Sequence, residues 1–190
     1  MPCSLFADDM RKPDAMFDIQ PRNPELYRRQ TRRSTVIIAL IFLALAMALS
    51  TAAVSLFGEP DGDNMRFNVG GVFVAVLLMV GLMRSVFWEQ EWMAPAVYGW
   101  QLKRSLMSVT NVMHQVTAAV EKEDPSAMKL LRFYHLGLTQ MHELDGNSSD
   151  HGQLMREMNE HKVRMEALGL DSHQPRLNPA WIDAVKQPVS

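Results

Sequence analysis

Residues 36–57 read VIIALIFLALAMALSTAAVSLF, twenty-two residues without a charge. As a helix rising about 1.5 Å per residue they reach roughly 33 Å, enough to cross a hydrocarbon core of about 30 Å. Twelve of them are Leu, Ile, Val or Phe. At roughly −0.3 to −0.6 kcal/mol each, insertion is favoured by about 4 to 7 kcal/mol before small polar costs. A second run, FNVGGVFVAVLLMVGLM, fills 67–83 and extends to Trp88 if Arg84 lifts its guanidinium to the headgroups. At mid-bilayer that arginine would cost about 2.5–3.5 kcal/mol, so it marks a boundary rather than a centre.

Between the runs lies GEPDGDNMR, residues 58–66, with Pro60 and two glycines. This is turn chemistry, too short for a domain, and it predicts an antiparallel hairpin. Arg22, Arg28, Arg29, Arg32 and Arg33 precede the first run, with Glu25 the local acid. The connecting loop sets Arg66 against Glu59, Asp61 and Asp63, and Arg84, Lys103 and Arg104 follow the second run. Cationic flanks stay on the cytoplasmic side, so the loop is expected outside and both termini inside. Two other readings compete. The first run could be a cleaved signal sequence with Ser50-Thr51-Ala52 as its small-residue site, although more than thirty residues precede it. Both runs could be buried helices of a soluble protein, against which stands the lack of any polar face.

Small residues recur at helical spacing: Ala44, Ala48 and Ala52, and Gly71 with Ala75. Such notches let backbones approach closely in lipid, either within the hairpin, which is the favoured reading, or at a dimer seam. Residues 87–100, FWEQEWMAPAVYGW, place Phe87, Trp88, Trp92, Tyr98 and Trp100 where an interfacial belt is expected. Trp88 and Trp92 would share one face of a helical continuation, until Pro95 breaks or restarts it. A ligand-binding aromatic box explains the same residues less simply.

Beyond Pro95 the period is helical. Leu102, Leu106, Val109, Met113, Val116 and Val120 form a heptad-like seam. Asp124-Pro125 is a start signal for a helix reaching about Leu144, striped by Met128, Leu131, Tyr134, Leu138 and Met141. Leu130, Phe133 and Gly137 widen its apolar face, which predicts a central helix. Gly146 ends it, and Asn147-Ser148-Ser149 offer caps for a third helix striped by Leu154, Met158, His161, Met165 and Leu168, ending at Gly169. Asn178-Pro179 opens a short last helix with Trp181 and Val185. The expected fold is therefore all-α, a transmembrane helical hairpin followed by a small cytoplasmic helical bundle. Its parts are a cytoplasmic segment 1–33, spans 34–57 and 67–88 around a periplasmic loop 58–66, an interfacial segment 89–100 and a helical domain 101–190. A bundle of about ninety residues is marginal alone, which favours oligomerisation or docking on the membrane. Its methionine-rich stripes suit core filling and tolerant partner binding alike.

Chemistry is sparse. The single cysteine, Cys3, rules out an intramolecular disulfide and a cysteine-based zinc site, and a thiol so near a loose terminus is a poor nucleophile candidate. No phosphate-cradling glycine loop, nucleophile elbow or HExxH helix is present. Among the six histidines, His135 and His142 are seven apart, about 10.5 Å along a helix, too far to share one ion. Glu157 and His161, four apart, could share one. His142-Glu143 and Asp145 could supply acid–base groups, yet nothing sets a nucleophile, base and oxyanion donor together. Residues 89–190 carry ten Lys/Arg against thirteen Asp/Glu, which disfavours a nucleic-acid partner. The basic cluster before the first span suits anionic headgroups instead. Transport by the hairpin alone is disfavoured, because its polar residues, Asn68, Ser50, Thr51 and Ser55, all sit toward the outer ends.

The stretches MFDIQPRNPELYRRQTRRST, MAPAVYGWQLKRSLMSVTNVMHQVTA and MKLLRFYHLGLTQMHELDGNSS resemble an uncharacterised family of two-span inner-membrane proteins from gammaproteobacteria, a domain of unknown function. The resemblance covers roughly residues 16–185. It implies a bacterial cytoplasmic (inner) membrane and no particular activity, and it raises Met16 as an alternative start. No catalytic, cofactor or metal residue follows from it. The expected function is a non-enzymatic, membrane-anchored interaction or scaffold module, its partners the lipid bilayer and a second copy or a cytosolic protein. The alternative is a membrane-associated enzyme or metal-binding protein using His135, His142, Glu143 or His161.

Overall fold

The computed structural model describes residues 17–60, 62–147 and 151–187, with the side chains of His151 and Gln153 left aside. The expectations on Cys3, on Met16 as a start, on Asp61 and on Ser148 and Ser149 as caps lie outside the described residues. What is described is all-helical: α1 Pro24–Phe57, α2 Met65–Ser85, α3 Ala94–Thr110, α4 Met113–Glu121, α5 Pro125–Asp145, α6 His151–Ala167 and α7 Pro179–Lys186. No strand occurs among the described residues; one isolated antiparallel bridge joins Asp18 and Arg176. Two compact units result, one of residues 29–97 and the other of the residues before and after.

The hairpin unit holds α2 and all of α1 beyond its first turns. α1 starts well before the apolar run, because Pro24 suits a first helical position and the Asn23 side chain accepts from the Leu26 amide at 3.0 Å. The arginines at 28, 29, 32 and 33 therefore stand on the helix itself. Phe57 ends α1, and the loop closes when the Asn64 carboxamide donates to Glu59 O and accepts from Glu59 N, both at 3.0 Å. On α2 the buried positions are Gly71, Ala75 and Met79, one every four residues. At Gly71 the reason is close approach: a Cβ there would come within 2.6 Å of Ser50 Cα. Within the apolar run of α1 the buried small residue is Ala46, whereas Ala44, Ala48 and Ala52 face outward. The expected packing of the hairpin through that alanine row is thus overturned: α2's small residues meet α1, and α1's row does not meet α2. Both helices are long and apolar enough to cross a membrane.

The α-helical part of the second candidate span ends at Ser85, and the span itself continues through Trp88 to Glu89. Two 3₁₀ turns follow, Phe87–Glu89 and Glu91–Met93, separated by Gln90 in an extended conformation. Trp88 and Trp92 consequently share no helix face; Trp92 packs on Phe87, ring centroids 5.6 Å apart. Buried Ser34 donates its hydroxyl to Trp92 O at 2.6 Å, fixing these turns against α1. Pro95 then lies in the first turn of α3, where its missing amide is harmless.

In the helical domain, α5 packs against α4, α6 and α7 and is central as expected. Its start and stop follow local rules. The Asp124 carboxylate accepts from Ala127 N at 2.8 Å ahead of Pro125, and Gly146 adopts φ 72° as Asn147 N reaches back to His142 O. The core is Val109, Val116, Met128, Leu130, Phe133 and Met165, closed by Leu177 and Val185. Two registers differ from the sequence pattern. A turn at Asn111–Val112 interrupts the seam after Thr110, so Val112 is buried and Met113 only partly. At the end of α6, Leu170 N bonds to Met165 O around Gly169 at φ 70°, a Schellman turn that folds Leu170 back onto the core. Leu168, expected to close the stripe, is left exposed.

Candidate functional site

Two polar clusters sit inside the helical domain. The first lies between α5 and α6. Asp124 and Pro125 fix the phase of α5, which turns His135 and Thr139 inward, and α6 presents Met158 and His161 opposite. His135 and His161 are both buried, their rings edge-to-face with centroids 5.4 Å apart. His161 Nε2 is 2.9 Å from Met128 O. A carbonyl only accepts, so Nε2 carries the proton. Thr139 Oγ1 lies 3.0 Å from His135 O and 3.2 Å from Met158 Sδ. His135 Nδ1 is buried without a hydrogen-bond partner among the described residues. Desolvation pushes the His135 imidazole down to about 4, helped by His161 and then by Arg132. Burial lowers His161 as well, partly offset by its bond to Met128 O. Both rings are therefore neutral at pH 7. Arg132, half-buried above them, donates Nε to Ser172 O at 2.9 Å and secures the loop after α6.

The second cluster centres on Tyr98, which the sequence placed in an interfacial belt. The structure corrects this: Tyr98 is a core residue. Its hydroxyl donates to Gln140 Oε1 at 2.5 Å and accepts from Gln20 N at 3.0 Å, while Gln140 Nε2 donates to Gln20 O. Phe17 packs on its ring at 5.6 Å, and the Arg22 guanidinium lies 4.1 Å from the ring centroid. Burial raises the phenol above its usual range, so it stays protonated. This knot secures residues 17–22, which also pair backbone to backbone with 175–177: Ile19 N reaches Pro175 O and Leu177 N reaches Phe17 O, each at 2.9 Å. No sequence signal marks this role for the N-terminal segment, because single long-range backbone bonds carry no periodic pattern.

Of the other residues considered for chemistry, Glu143 and Asp145 lie at the C-terminal end of α5. The Arg28 guanidinium donates to Glu143 O at 3.1 Å, and Lys103 pairs with Asp145 at 3.0 Å, so cations sit at the helix C-terminus where its dipole favours them. His142 is half-buried and Glu143 and Glu157 are exposed. The structure brings His135 to His161, a pair that sequence spacing does not suggest because they lie on different helices. Among the described residues, no group of three or more His, Cys, Asp or Glu could hold a metal ion. Near the loop end of the hairpin, Ser50 donates to Asn68 Oδ1 at 2.7 Å, so two of the polar residues in the apolar helices partner each other.

No curated protein and no solved structure matches the chain. A family model does, over residues 17–182, beginning where the described N-terminal segment begins and ending within α7. The apolar hairpin, the Tyr98 knot and the α5–α6 histidine pair thus all fall within one family unit, and the chain belongs to the family described as proteins of unknown function (DUF3087).

Proposed function

We propose that this protein is a non-enzymatic membrane-anchored helical module whose hairpin crosses the bacterial cytoplasmic membrane twice. The loop 58–66 faces outward, and both termini and the helical domain lie on the cytoplasmic side, presented to a second copy or a cytosolic protein. The observation that carries this reading is the exposure of the hairpin. Leu40 and Met47 on α1 are 60% and 64% exposed, and Phe73 on α2 is 63% exposed. Water would penalise each such side chain by about 1.5–3 kcal/mol, whereas hydrocarbon accepts them. Arginines at 28, 29, 32 and 33 against the acidic loop supply the orientation. Exposed Met155 and Val163 on α6 and Leu168 after it give the domain an apolar surface of the adaptable kind.

Reporter fusions at Asp63 and Ser190 test the anchor: opposite compartments and resistance to carbonate are expected, and a shared compartment or release overturns it. Crosslinking in native membranes with mass spectrometry tests the interaction role, which fails if only uncrosslinked monomer is recovered. One observation favours a second reading, metal binding: buried His135 Nδ1 has no hydrogen-bond partner among the described residues and faces a helix carrying His161. Metal analysis of the purified protein decides it, an empty and metal-indifferent sample removing its support.

A further inference from the structure

Trp100 lies on the outer side of α3, 45% exposed, whereas Tyr98 on the same helix is locked in the domain interior. Met107, two turns on, is 60% exposed, and Lys103 and Arg104 occupy the turn between. Positions 100, 103, 104 and 107 form one helix face. The Arg104 guanidinium sits 5.1 Å from the Trp100 ring centroid. The opposite face, Tyr98, Leu102, Leu106 and Val109, is buried in the domain. Thus α3 has an inner aliphatic face and an outer face made of an aromatic ring, a thioether and two cations, the composition of a helix lying in a bilayer interface.

We propose that this outer face docks on the anionic phospholipid headgroups of the bilayer that the hairpin spans. Trp100 and Met107 enter the boundary between headgroups and acyl chains, and Lys103 and Arg104 meet the phosphates. The inference rests on the membrane-spanning reading above. Size selects lipid over protein: four side chains along two turns fall far short of the ~800 Å² per partner that a stable protein interface buries. A bilayer needs no such area, because eight residues separate Ser85, where α2 ends, from Ala94, where α3 begins. Docking is then intramolecular, and a short tether gives it a high effective concentration. Charge agrees: the outer face carries two cations and no acid of its own. The Lys103–Asp145 pair, 3.0 Å long and well exposed at both ends, is weak enough in water to be exchanged for a phosphate.

The sole cysteine makes the test direct. In a Cys3→Ser background, Met107→Cys receives an environment-sensitive fluorophore, with Val163→Cys, exposed on α6, as control. The full chain is reconstituted in vesicles of phosphatidylcholine alone or mixed with phosphatidylglycerol. The expected result is a blue shift at position 107 that is larger with phosphatidylglycerol. It is lost on Lys103→Gln with Arg104→Gln or in about 1 M salt, where screening acts within ~3 Å, and it is absent at position 163. A label at 107 that stays at its water value while the protein resists carbonate overturns the docking and leaves the spanning reading standing. Release by carbonate overturns both. A shift that is equal in phosphatidylcholine overturns the anionic-headgroup assignment, and one that grows with the protein-to-lipid ratio identifies a second copy as the occupant and overturns the lipid assignment.

Discussion

The hairpin and the helical domain are built from the same element and obey opposite solvation. In the domain, Phe133 and Val109 are fully buried and polar residues line the outside. In the hairpin a narrow seam at Gly71, Ala75 and Met79 is buried, and the large aliphatic and aromatic side chains point away from it. Hydrophobicity alone does not separate these designs. What separates them is where the small residues go. The domain buries large side chains and gains stability from their removal from water, while the hairpin brings backbones together at Gly71 and Ala75, beside Met79, the kind of association expected in lipid. Helix association of the second kind needs an environment already as apolar as the side chains.

The sharpest way to break this comparison is to make one change in both regions. Phe133→Ala opens a cavity among Val109, Met128 and Leu130 and is expected to destabilise the domain by ~3–5 kcal/mol. Phe73→Ala removes an outward ring and should shift stability by less than about 0.5 kcal/mol in detergent micelles. Chemical denaturation followed by circular dichroism measures both, and equal losses would mean that Phe73 is buried against protein. Next in size is charge. Leu43→Arg, mid-way along the apolar part of α1 and exposed, should cost about 2.5–3.5 kcal/mol of insertion, read as a lowered membrane-inserted fraction. Val163→Arg, equally exposed but on the domain, should be within about 0.5 kcal/mol of neutral.

Acid distinguishes the regions too. The native pKa of His135 lies near 4, below the ~6.5 of an unfolded histidine, and His161 is shifted the same way. Between these values the unfolded chain binds more protons than the native one, so stability falls as pH falls. The contribution is complete above about pH 6.5 and is lost as pH drops toward 4, by about 2 kcal/mol at pH 5 for His135 alone. His135→Leu should reduce the fall of the domain's denaturation midpoint between pH 7 and 5, with His161 keeping the remainder. An undiminished slope in that variant assigns the acid sensitivity elsewhere.

How much of this was legible in the sequence follows from the range of each signal. Helix starts at Asp124-Pro125 and Asn178-Pro179 and stops at Gly146 and Gly169 depend on neighbours within a few residues, and each matches the structure. The uncharged run 36–57 and its arginine flank are equally local. Lost were the features decided by one turn or by distant partners. A single irregular turn at Asn111–Val112 exchanged Met113 for Val112 in the seam. Aromatic neighbours point Tyr98 to an interfacial belt, but its hydroxyl is claimed by Gln140, forty-two residues away, and by Gln20, seventy-eight residues away. The pairing within the candidate site stayed hidden for the same reason. His135 and His161 meet across two helices, and spacing along one chain segment searches only a single helix.

The smallest expected effect tests how each region begins its helices. At α5 and α7 the caps are side chains: Asp124 accepts from Ala127 N at 2.8 Å and Asn178 from Ala180 N at 3.0 Å. At α2, Asn64 occupies the same position, yet its side chain makes no cap bond and holds Glu59 across the loop. Asp124→Ala and Asn178→Ala each leave an amide of the first turn without its acceptor and should cost ~1 kcal/mol. Hydrogen exchange should accelerate at Ala127 and at Ala180 respectively, and nowhere in the hairpin. Asn64→Ala should instead release Glu59 N and loosen the loop, with exchange within α2 unchanged, because its first amides never relied on that side chain. Faster exchange at Phe67 and Asn68 in that variant would show that the hairpin, like the domain, draws its helix start from a capping residue.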